Sequence, residues 1–349
     1  MAAYISFQPS DFFNTLLWTG DGSASRSLTG VGFQPDFTWI KPRSTTIEHN
    51  LYDSPRGATW ALQSNNDEAQ GQNNGYGWLS AFDADGFTVV EGGSNASRVN
   101  DNTVTYVGWN WKMGTTSGLS GGTITPSSYS ISTTGGQSVI AYTGTGSAGT
   151  IPHGLGVTPQ MIILKETSNA TDWAVYHIKV GNAKFLKLNT DAAQAATSNW
   201  NSTSPTTSLF SVGSGDQSNT SGRTYVAYCF ASIKGYSKFG GYTGNGNADG
   251  PFVYTGFRPA YIMLKCITGG SSNWAIFDPK REGYNVDNDA LYADTTAVEA
   301  TSDDIDILSN GFKLRNTGFT LNTSADTYIY AAFAEFPLVS SNSKAGVAR

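Results

Sequence analysis

The chain carries one pattern three times, in Gly32-Phe33-Gln34-Pro35, Gly156-Val157-Thr158-Pro159 and Gly256-Phe257-Arg258-Pro259. In each copy an apolar run follows, and a lysine stands nine residues after the first glycine, at Lys41, Lys165 and Lys265. The pattern returns after 124 and then 100 residues. A unit of about 100 residues is the size of a small all-β domain, so the sequence predicts three copies of such a domain.

Three copies of this unit occupy nearly all of the 349 residues. We place repeat 1 with its N-terminal segment at 1–113, repeat 2 at 139–236 and repeat 3 at 237–338, followed by a polar tail at 339–349. A connector rich in Gly, Ser and Thr, 114–138, joins the first two repeats. Apolar side chains spaced along this connector predict that it is extended and lies partly against both repeats.

Short alternating runs of apolar residues indicate β-strands throughout. Asp85-Gly86 and Asn310-Gly311 stand between such runs, and this is a strong hairpin signal because glycine accepts the positive φ of a type I′ turn. The closing strand of repeat 1, at 105–111, has tryptophans at the alternate positions 109 and 111, typical of a strand with one buried face. The predicted fold is therefore all-β: three tandem antiparallel β-sandwich, jelly-roll-like repeats, with a pseudo-threefold axis as a candidate arrangement.

The composition argues against two classes of partner. Charged residues make up 14 % of the chain and the net charge is −6, with no cluster of Lys or Arg, so we expect no nucleic-acid partner. No apolar run approaches the roughly 20 residues that cross a bilayer, and no export signal is found, so we expect no membrane insertion. Cys229 and Cys266 lie in apolar runs, which predicts two small buried side chains, with a single bridge as the alternative.

Residues with catalytic or metal-binding chemistry are present without a productive spacing. His49, His153 and His177 lack the spacing of a metal or catalytic pair, and neither a nucleophile elbow nor a phosphate-binding loop is found. We therefore predict that the chain is not an enzyme and has no cofactor and no metal. Asp53 and Asp278 each precede an arginine by three residues, which indicates local charge pairs closing turns. An acid and base acting on a glycosidic bond is the alternative.

Two acidic stretches and the repeated lysines allow a functional and a structural interpretation. Asp83-Ala84-Asp85-Gly86 is similar to the start of a calcium loop, but the later Glu is missing, so a hairpin turn is predicted. Asp303-Asp304-Ile305-Asp306 is the densest acidic cluster and a candidate cation site. The lysines fit solvated strand ends that block edge pairing, the interpretation we favour, or three cationic pockets for acidic sugars.

Aromatic residues in or beside polar loops are the remaining binding candidates. A flat ring in a neutral polar setting provides a platform for the face of a sugar. Aromatic rings also fill protein cores, and half of the candidate rings in this chain fit that alternative. The candidate glycan-binding residues are Trp78, Trp173, Trp200, Trp274 and Tyr284.

Several phrases spanning nearly the whole chain together resemble a family of proteins from tailed bacteriophages, especially phages of marine and cyanobacterial hosts. The phrases lie at 29–36, 53–58, 154–156, 225–230, 239–246 and 328–335, the fifth reading Phe239-Gly240-Gly241-Tyr242-Thr243-Gly244-Asn245-Gly246. That family comprises virion proteins with tail-fibre or concanavalin/laminin-G-like domains of unknown function. The resemblance implies a protein exposed on a phage tail or capsid, and it carries over no catalytic residues.

The expected function is therefore structural. We predict a virion protein assembled in the host cytoplasm, serving as a tail-fibre or host-recognition component that binds by surface contacts. Its expected partners are other virion proteins and a host surface glycan, and its expected oligomer is a homotrimer. A capsid decoration or head-fibre protein is the alternative, and a polysaccharide depolymerase is a third possibility.

Overall fold

The computed structural model describes residues 6–72, 75–93, 98–285, 289–301, 305–318 and 320–337. Within these ranges the chain consists of β-strands and one 3-10 turn, with no α-helix, so the all-β prediction is confirmed. None of the described residues form a helix long and apolar enough to span a membrane.

The strands are grouped here by the repeats that the sequence predicts. Repeat 1 begins with the 3-10 turn Pro9–Asp11, and its strands are β1 (Phe13–Thr19), β2 (Arg26–Thr29), β3 (Phe37–Pro42), β4 (Asn50–Asp53), β5 (Trp60–Ala61), β6 (Gly71–Gln72), β7 (Trp78–Asp83), β8 (Gly86–Val90) and β9 (Thr105–Trp111). The connector contributes β10 (Pro126–Ser132). The strands of repeat 2 are β11 (Gln137–Thr143), β12 (Gly149–Pro152), β13 (Met161–Glu166), β14 (Ala174–His177), β15 (Lys184–Lys187), β16 (Ala195–Ala196), β17 (Leu209–Val212) and β18 (Thr224–Phe230). Those of repeat 3 are β19 (Ser237–Thr243), β20 (Phe252–Tyr254), β21 (Phe257–Cys266), β22 (Ala275–Phe277), β23 (Leu291–Tyr292), β24 (Ile305–Leu308), β25 (Gly311–Leu314) and β26 (Thr327–Pro337).

The described strands of each repeat form a larger and a smaller antiparallel sheet. The larger sheets have the strand orders β1-β9-β3-β4, β10-β11-β18-β13-β14-β15-β16 and β19-β26-β21-β22-β23. In each of them the closing strand lies between the first strand of the repeat and the signature strand, whose next-to-last residue is the repeated lysine. The smaller sheets are β2-β8-β7, β12-β17 and β20-β25-β24, and β5 pairs with β6. The three repeats thus share one pattern of strand pairing.

The inner faces of the three larger sheets meet in a single core. Each signature strand contributes two alternate residues and each closing strand contributes three. We predicted one buried face for the closing strand of repeat 1, and this was wrong: residues 106–111 are all buried. The second face is covered because it meets the other two repeats. The inner residues are Phe37, Trp39, Val107, Trp109, Trp111, Met161, Ile163, Val226, Tyr228, Phe230, Tyr261, Met263, Ile329, Ala331 and Phe333.

The outer faces of the larger sheets form a separate core in each repeat. Residues that alternate with the inner set, such as Ile40, Ile162 and Ile262, pack against the smaller sheet of their own repeat. The signature and closing strands are therefore apolar at nearly every position, as expected for strands that are buried on both faces.

The two predicted hairpins are confirmed, but their glycines act differently from the prediction. Asp83 pairs with Gly86 and Leu308 pairs with Gly311, so each glycine begins the second strand. A Cβ at Gly86 would lie 2.0 Å from the Leu28 carbonyl oxygen, and one at Gly311 would lie 2.1 Å from that of Val253. Both glycines allow a neighbouring strand to approach closely. Gly86 also has the predicted positive φ, +142°, but the centre of its turn is Ala84-Asp85 and not Asp85-Gly86.

The connector is largely ordered as part of the second large sheet. Its strand β10 pairs with β11, and the Ile124 side chain is buried in the outer core of repeat 2. On the other side, the Ser128 hydroxyl donates to the Pro55 carbonyl oxygen of repeat 1 at 2.8 Å. The segment predicted as a connector therefore adds a strand to the larger sheet of repeat 2 and contacts repeat 1.

Candidate functional site

The repeated lysines are buried, contrary to the solvated strand ends that we favoured. Lys41, Lys165 and Lys265 are each 0 % exposed. Each ammonium group donates a hydrogen bond to a backbone carbonyl of a different repeat. Buried polar groups need such partners. Lys41 reaches Thr296 of repeat 3 at 3.2 Å, Lys165 reaches Asp67 of repeat 1 at 3.2 Å, and Lys265 reaches Asp191 of repeat 2 at 2.7 Å.

The lysine contacts close a ring of three repeats, and burial makes their charge costly. Burial lowers the pKa of Lys41 to about 7, partly offset by Glu48 and Glu299, and lowers the pKa of Lys165 and Lys265 to about 8. Asp67, whose carbonyl oxygen accepts from Lys165, also lines an open groove, but the three lysine side chains are themselves fully buried. The lysines therefore join repeats, and the alternative of three cationic pockets for acidic sugars is wrong at these positions.

Two of the predicted glycan platforms also join repeats. Trp173 and Trp274 are 0 % and 1 % exposed. The Trp173 indole donates to the Gln63 carbonyl oxygen of repeat 1 at 3.0 Å, and the Trp274 indole donates to that of Lys187 in repeat 2 at 2.8 Å. His49 takes their place in repeat 1, where its Nε2 contacts the Tyr292 carbonyl oxygen of repeat 3 at 2.9 Å.

The remaining predicted platforms differ in exposure. Trp200 is 2 % exposed and packs edge-on against Tyr176, so it fills the outer core of repeat 2. Trp78 is half-buried at the start of β7. Tyr284 is half-buried, and its hydroxyl donates to the Glu335 carboxylate at 2.9 Å while the Arg258 guanidinium lies over its ring. Trp173, Trp200 and Trp274 therefore offer no free ring face to a sugar.

The two aspartate–arginine pairs are buried contacts between repeats, and the prediction of local turn pairs was incomplete. Asp53 Oδ2 lies 2.7 Å from Arg56 Nε and accepts a hydrogen bond from the Tyr228 hydroxyl of repeat 2 at 2.7 Å. Both carboxylates, Asp53 and Asp278, are 0 % exposed. Because they are inaccessible and fully engaged, they do not provide the acid and base that the glycosidase alternative requires.

The same contact recurs at the junction of repeats 3 and 1. Asp278 Oδ2 lies 2.6 Å from Arg281 Nε and accepts from the Trp109 indole at 3.0 Å. Trp109 and Tyr228 occupy matching positions of their closing strands, so each supplies the donor for the preceding repeat. This correspondence shows that the two junctions use one geometry.

The third junction lacks this donor and carries a different residue. Ala331 of repeat 3 stands where the other closing strands have Trp109 and Tyr228, so it offers no polar side chain. His177 replaces the aspartate there, and its Nε2 contacts the Tyr330 carbonyl oxygen at 3.3 Å. Its Nδ1 accepts from the Lys179 backbone at 3.2 Å, so Nε2 carries the proton of a neutral ring. Burial lowers the pKa of His177 to about 4.

Three of the open grooves follow the repeat pattern, whereas a further one, lined by Asp67 of repeat 1 and five residues of repeat 2, does not. Groove A, between repeat 1 and the connector strand β10, encloses about 980 Å³. Groove B, between repeats 2 and 3, encloses about 930 Å³, and groove C, between repeats 3 and 1, about 590 Å³. The residue four positions after the signature glycine lines one groove each time, as Asp36, Gln160 and Ala260. The grooves are therefore related in the same way as the repeats.

Each groove contains one partly or largely exposed aromatic ring together with polar side chains. Tyr129 lines groove A, and its hydroxyl accepts from the Leu119 backbone at 2.9 Å. Tyr254 lines groove B with 50 % of its surface exposed, and Phe336 lines groove C with 40 % exposed. Lysine side chains border all three, namely Lys112, Lys234, Lys238 and Lys280. A ring face beside hydrogen-bond donors is suited to a sugar.

The amino-acid sequence of the chain matches one known protein family. Residues 8–337 match the model of a family described as a domain of unknown function, DUF7483. The chain belongs to this family. Neither the curated proteins nor the solved structures include a significant match to this DUF7483 chain.

The candidate cation sites receive no support in this DUF7483 chain. Asp303 and Asp304 lie outside the described residues, and Asp306 pairs with Arg315 at 2.5 Å. Asp85, in the calcium-like stretch, accepts from the Gly32 backbone at 2.6 Å and so closes the signature loop. Across the described ranges no group of three metal-ligating side chains is assembled. Cys229 and Cys266 are free and buried, as predicted.

Sequence reasoning missed the aromatic rings that line the grooves. Phe252, Val253 and Tyr254 form the edge strand β20 of this DUF7483 chain, with only the central valine buried. The available signal was the alternation itself: Phe252 and Tyr254 flank one valine. In a strand with one buried face, such alternate positions point to solvent. Phe336 gave no comparable signal because it lies near the end of the long apolar closing strand β26.

Proposed function

We propose that the chain is a non-catalytic binding protein whose three grooves receive host surface sugars. The observation that carries this proposal is the pairing, in related grooves, of an exposed ring with neutral hydrogen-bonding side chains. In groove B, half of the Tyr254 surface is exposed beside the Gln160 amide. The interlocked repeats hold the grooves in place, and a rigid platform loses little entropy when it binds a ligand.

The experiment compares groove and non-groove aromatic variants on a glycan array. We expect the full chain to bind a subset of glycans, and Tyr254→Ala or Phe336→Ala to weaken that binding roughly tenfold because a stacking face is lost. Tyr76→Ala is the matched control, since Tyr76 is 45 % exposed and does not line these grooves. Absence of binding to any glycan, or equal effects of all three variants, would contradict the proposal.

At the level of the particle, we propose that this chain is a structural protein of a tailed-phage virion, on a tail fibre or host-recognition component. The resemblance in its sequence supports this location, as do its low charge and its β-rich fold. Immunogold labelling of virions tests it directly. Label on the tail is expected, whereas label on the head would favour a capsid decoration or head-fibre protein.

For the fold and assembly, we propose three tandem jelly-roll-like copies in the chain and a homotrimer of chains. The shared strand order supports the first proposal. The second proposal rests on the resemblance to fibre proteins. The inner faces of the sheets give it no support, because they already cover one another within one chain. Light scattering tests it: a trimer has three times the 37.1 kDa mass of the chain, and a monomer would contradict it.

A further inference from the structure

We infer that groove B binds a saccharide that carries a carboxylate, such as a hexuronic acid. The inference rests on the proposed sugar-binding function and names the ligand class for one of the three grooves. It follows from the difference in charge between groove B and grooves A and C, and from the contacts that hold Lys238 in position.

The three grooves differ in the charges that line them. Groove A combines Lys112 with Asp36, and groove C combines Lys280 with Glu335. Groove B is lined by two lysines, and no carboxylate occurs among the described residues that line it. An anion therefore meets only positive side chains in groove B, while a carboxylate lies in each of the other two.

One of these lysines is held in position beside the aromatic ring. The Lys238 ammonium donates to the Tyr254 carbonyl oxygen at 2.7 Å and lies 5.0 Å from the centre of the Tyr254 ring. A lysine ammonium has three N–H donors, so two remain for a ligand. Because the side chain is already ordered, little entropy is lost when it binds a carboxylate.

The other side chains of the groove suit the hydroxyl groups and the ring of a sugar. Gln160 Oε1 accepts from the Ser232 hydroxyl at 2.6 Å, which leaves the Gln160 amide nitrogen to donate to a ligand oxygen. Tyr254 offers its exposed ring to the apolar face of the sugar. A carboxylate, hydroxyl groups and an apolar ring face are together the features of a hexuronic acid.

The test compares acidic with neutral oligosaccharides of similar size by isothermal titration calorimetry. We expect the full chain to bind oligogalacturonate at least about tenfold more tightly than neutral oligogalactan, because charge-assisted hydrogen bonds are the stronger ones. Lys238→Gln should bring the ratio of the two affinities close to one, because the charged partner of the carboxylate is lost. Lys280→Gln, in groove C, is the matched control and should keep the preference.

Each outcome has a defined meaning. Equal affinity for both sugars, or a preference that survives Lys238→Gln, overturns the inference and leaves the sugar-binding proposal standing. Binding of neither sugar overturns the inference, while the glycan array decides separately on the sugar-binding proposal. Displacement of oligogalacturonate by an equal concentration of acetate overturns the saccharide part, because it shows that the groove recognises only the anion. Circular dichroism of each variant confirms that the fold is retained.

Discussion

At the scale of single residues, the chain uses buried polar side chains to join its repeats. A buried charge is tolerated only when it is paired or hydrogen-bonded, and removing one partner is more damaging than removing both. The junctions of repeats 1 with 2 and 3 with 1 follow this rule with an aspartate, an arginine and an aromatic donor. At the junction of repeats 2 and 3 a neutral histidine meets a carbonyl oxygen, since Ala331 supplies no donor.

The pair of Asp53 and Arg56 provides a test of this interpretation. Asp53→Ala leaves the buried Arg56 charge without its carboxylate and the Tyr228 hydroxyl without its acceptor, so we expect a loss of about 3–5 kcal/mol in the free energy of unfolding. Asp21→Ala is the control, because Asp21 and Arg26 form a pair at 3.5 Å with the Asp21 side chain 49 % exposed. The control should cost much less than Asp53→Ala, because solvent screens the exposed pair. Urea denaturation measures both, and similar losses would contradict the interpretation.

His177 should make the fold sensitive to mild acid. Its pKa is lowered to about 4 by burial, against 6.5 for an ordinary histidine, so between these values the unfolded chain binds more protons than the folded chain. Stability is therefore lost as the pH falls from 6.5 towards 4. Between pH 7 and pH 5 we expect His177 to account for roughly 2 kcal/mol of the loss.

The variant His177→Gln isolates this contribution, because its side chain does not titrate. We expect its free energy of unfolding to fall less than that of the unaltered chain between the two pH values, as measured by urea denaturation. His49 and His153 are buried as well and remain in both proteins, so the difference reports on His177 alone. An identical pH dependence of the two proteins would show that His177 is not held neutral.

At the scale of elements, one turn is built in the same way in all three repeats. A Thr-Gly pair follows the first strand, and a Cβ on its glycine would lie within about 2 Å of a facing carbonyl oxygen: 1.9 Å at Gly20, 2.2 Å at Gly144 and 2.1 Å at Gly244. A buried asparagine faces the turn, and Asn219 Oδ1 accepts from the Thr145 backbone at 2.7 Å. The glycine allows the two loops to approach, and the asparagine satisfies their backbone groups.

Gly144→Ala tests whether this close approach is required. The added methyl group would displace the Thr220 backbone, so we expect a loss of about 1–3 kcal/mol in the free energy of unfolding, as for overpacked sites. Gly71→Ala is the control, since a Cβ there meets nothing within 4 Å and the backbone φ is not positive. Thermal unfolding of both variants gives the comparison. Equal unfolding temperatures would show that the turn accommodates the methyl group without loss of stability.

At the scale of the whole molecule, the repeats share a core that none of them could cover alone. The inner faces of three larger sheets supply Trp109, Tyr228 and Phe333 to one cluster. An isolated repeat would expose this face to water, at a cost of about 25 cal/mol for each Å² of apolar surface. The chain should therefore behave as one cooperative unit, even though its sequence repeats suggest three domains.

Calorimetry of the full chain tests this cooperativity. We expect a single thermal transition whose calorimetric enthalpy equals its van't Hoff enthalpy, because no repeat can unfold while the others keep their inner faces covered. Three separate transitions, or a calorimetric enthalpy about three times the van't Hoff value, would instead indicate independent domains.

Much of the fold could be predicted from the sequence because its signals are local. Alternating apolar runs and turn residues such as Asp85-Gly86 report strand positions, and the spacing of the signature lysines reports three copies of one unit. The candidate site was less accessible to prediction. An aromatic residue beside a polar loop looks the same whether it faces solvent, as Tyr254 does, or contacts a neighbouring repeat, as Trp173 does.

The sequence by itself determined the all-β class and the positions of the two hairpins, since both depend on the spacing of nearby residues. Only the tertiary structure decided that Lys41, Lys165 and Lys265 are buried and that the open grooves lie between repeats. The physical reason is that burial depends on which surfaces meet when the ring of repeats closes. Residues that meet there, such as Lys41 and Thr296, are far apart in the chain and carry no shared local signal.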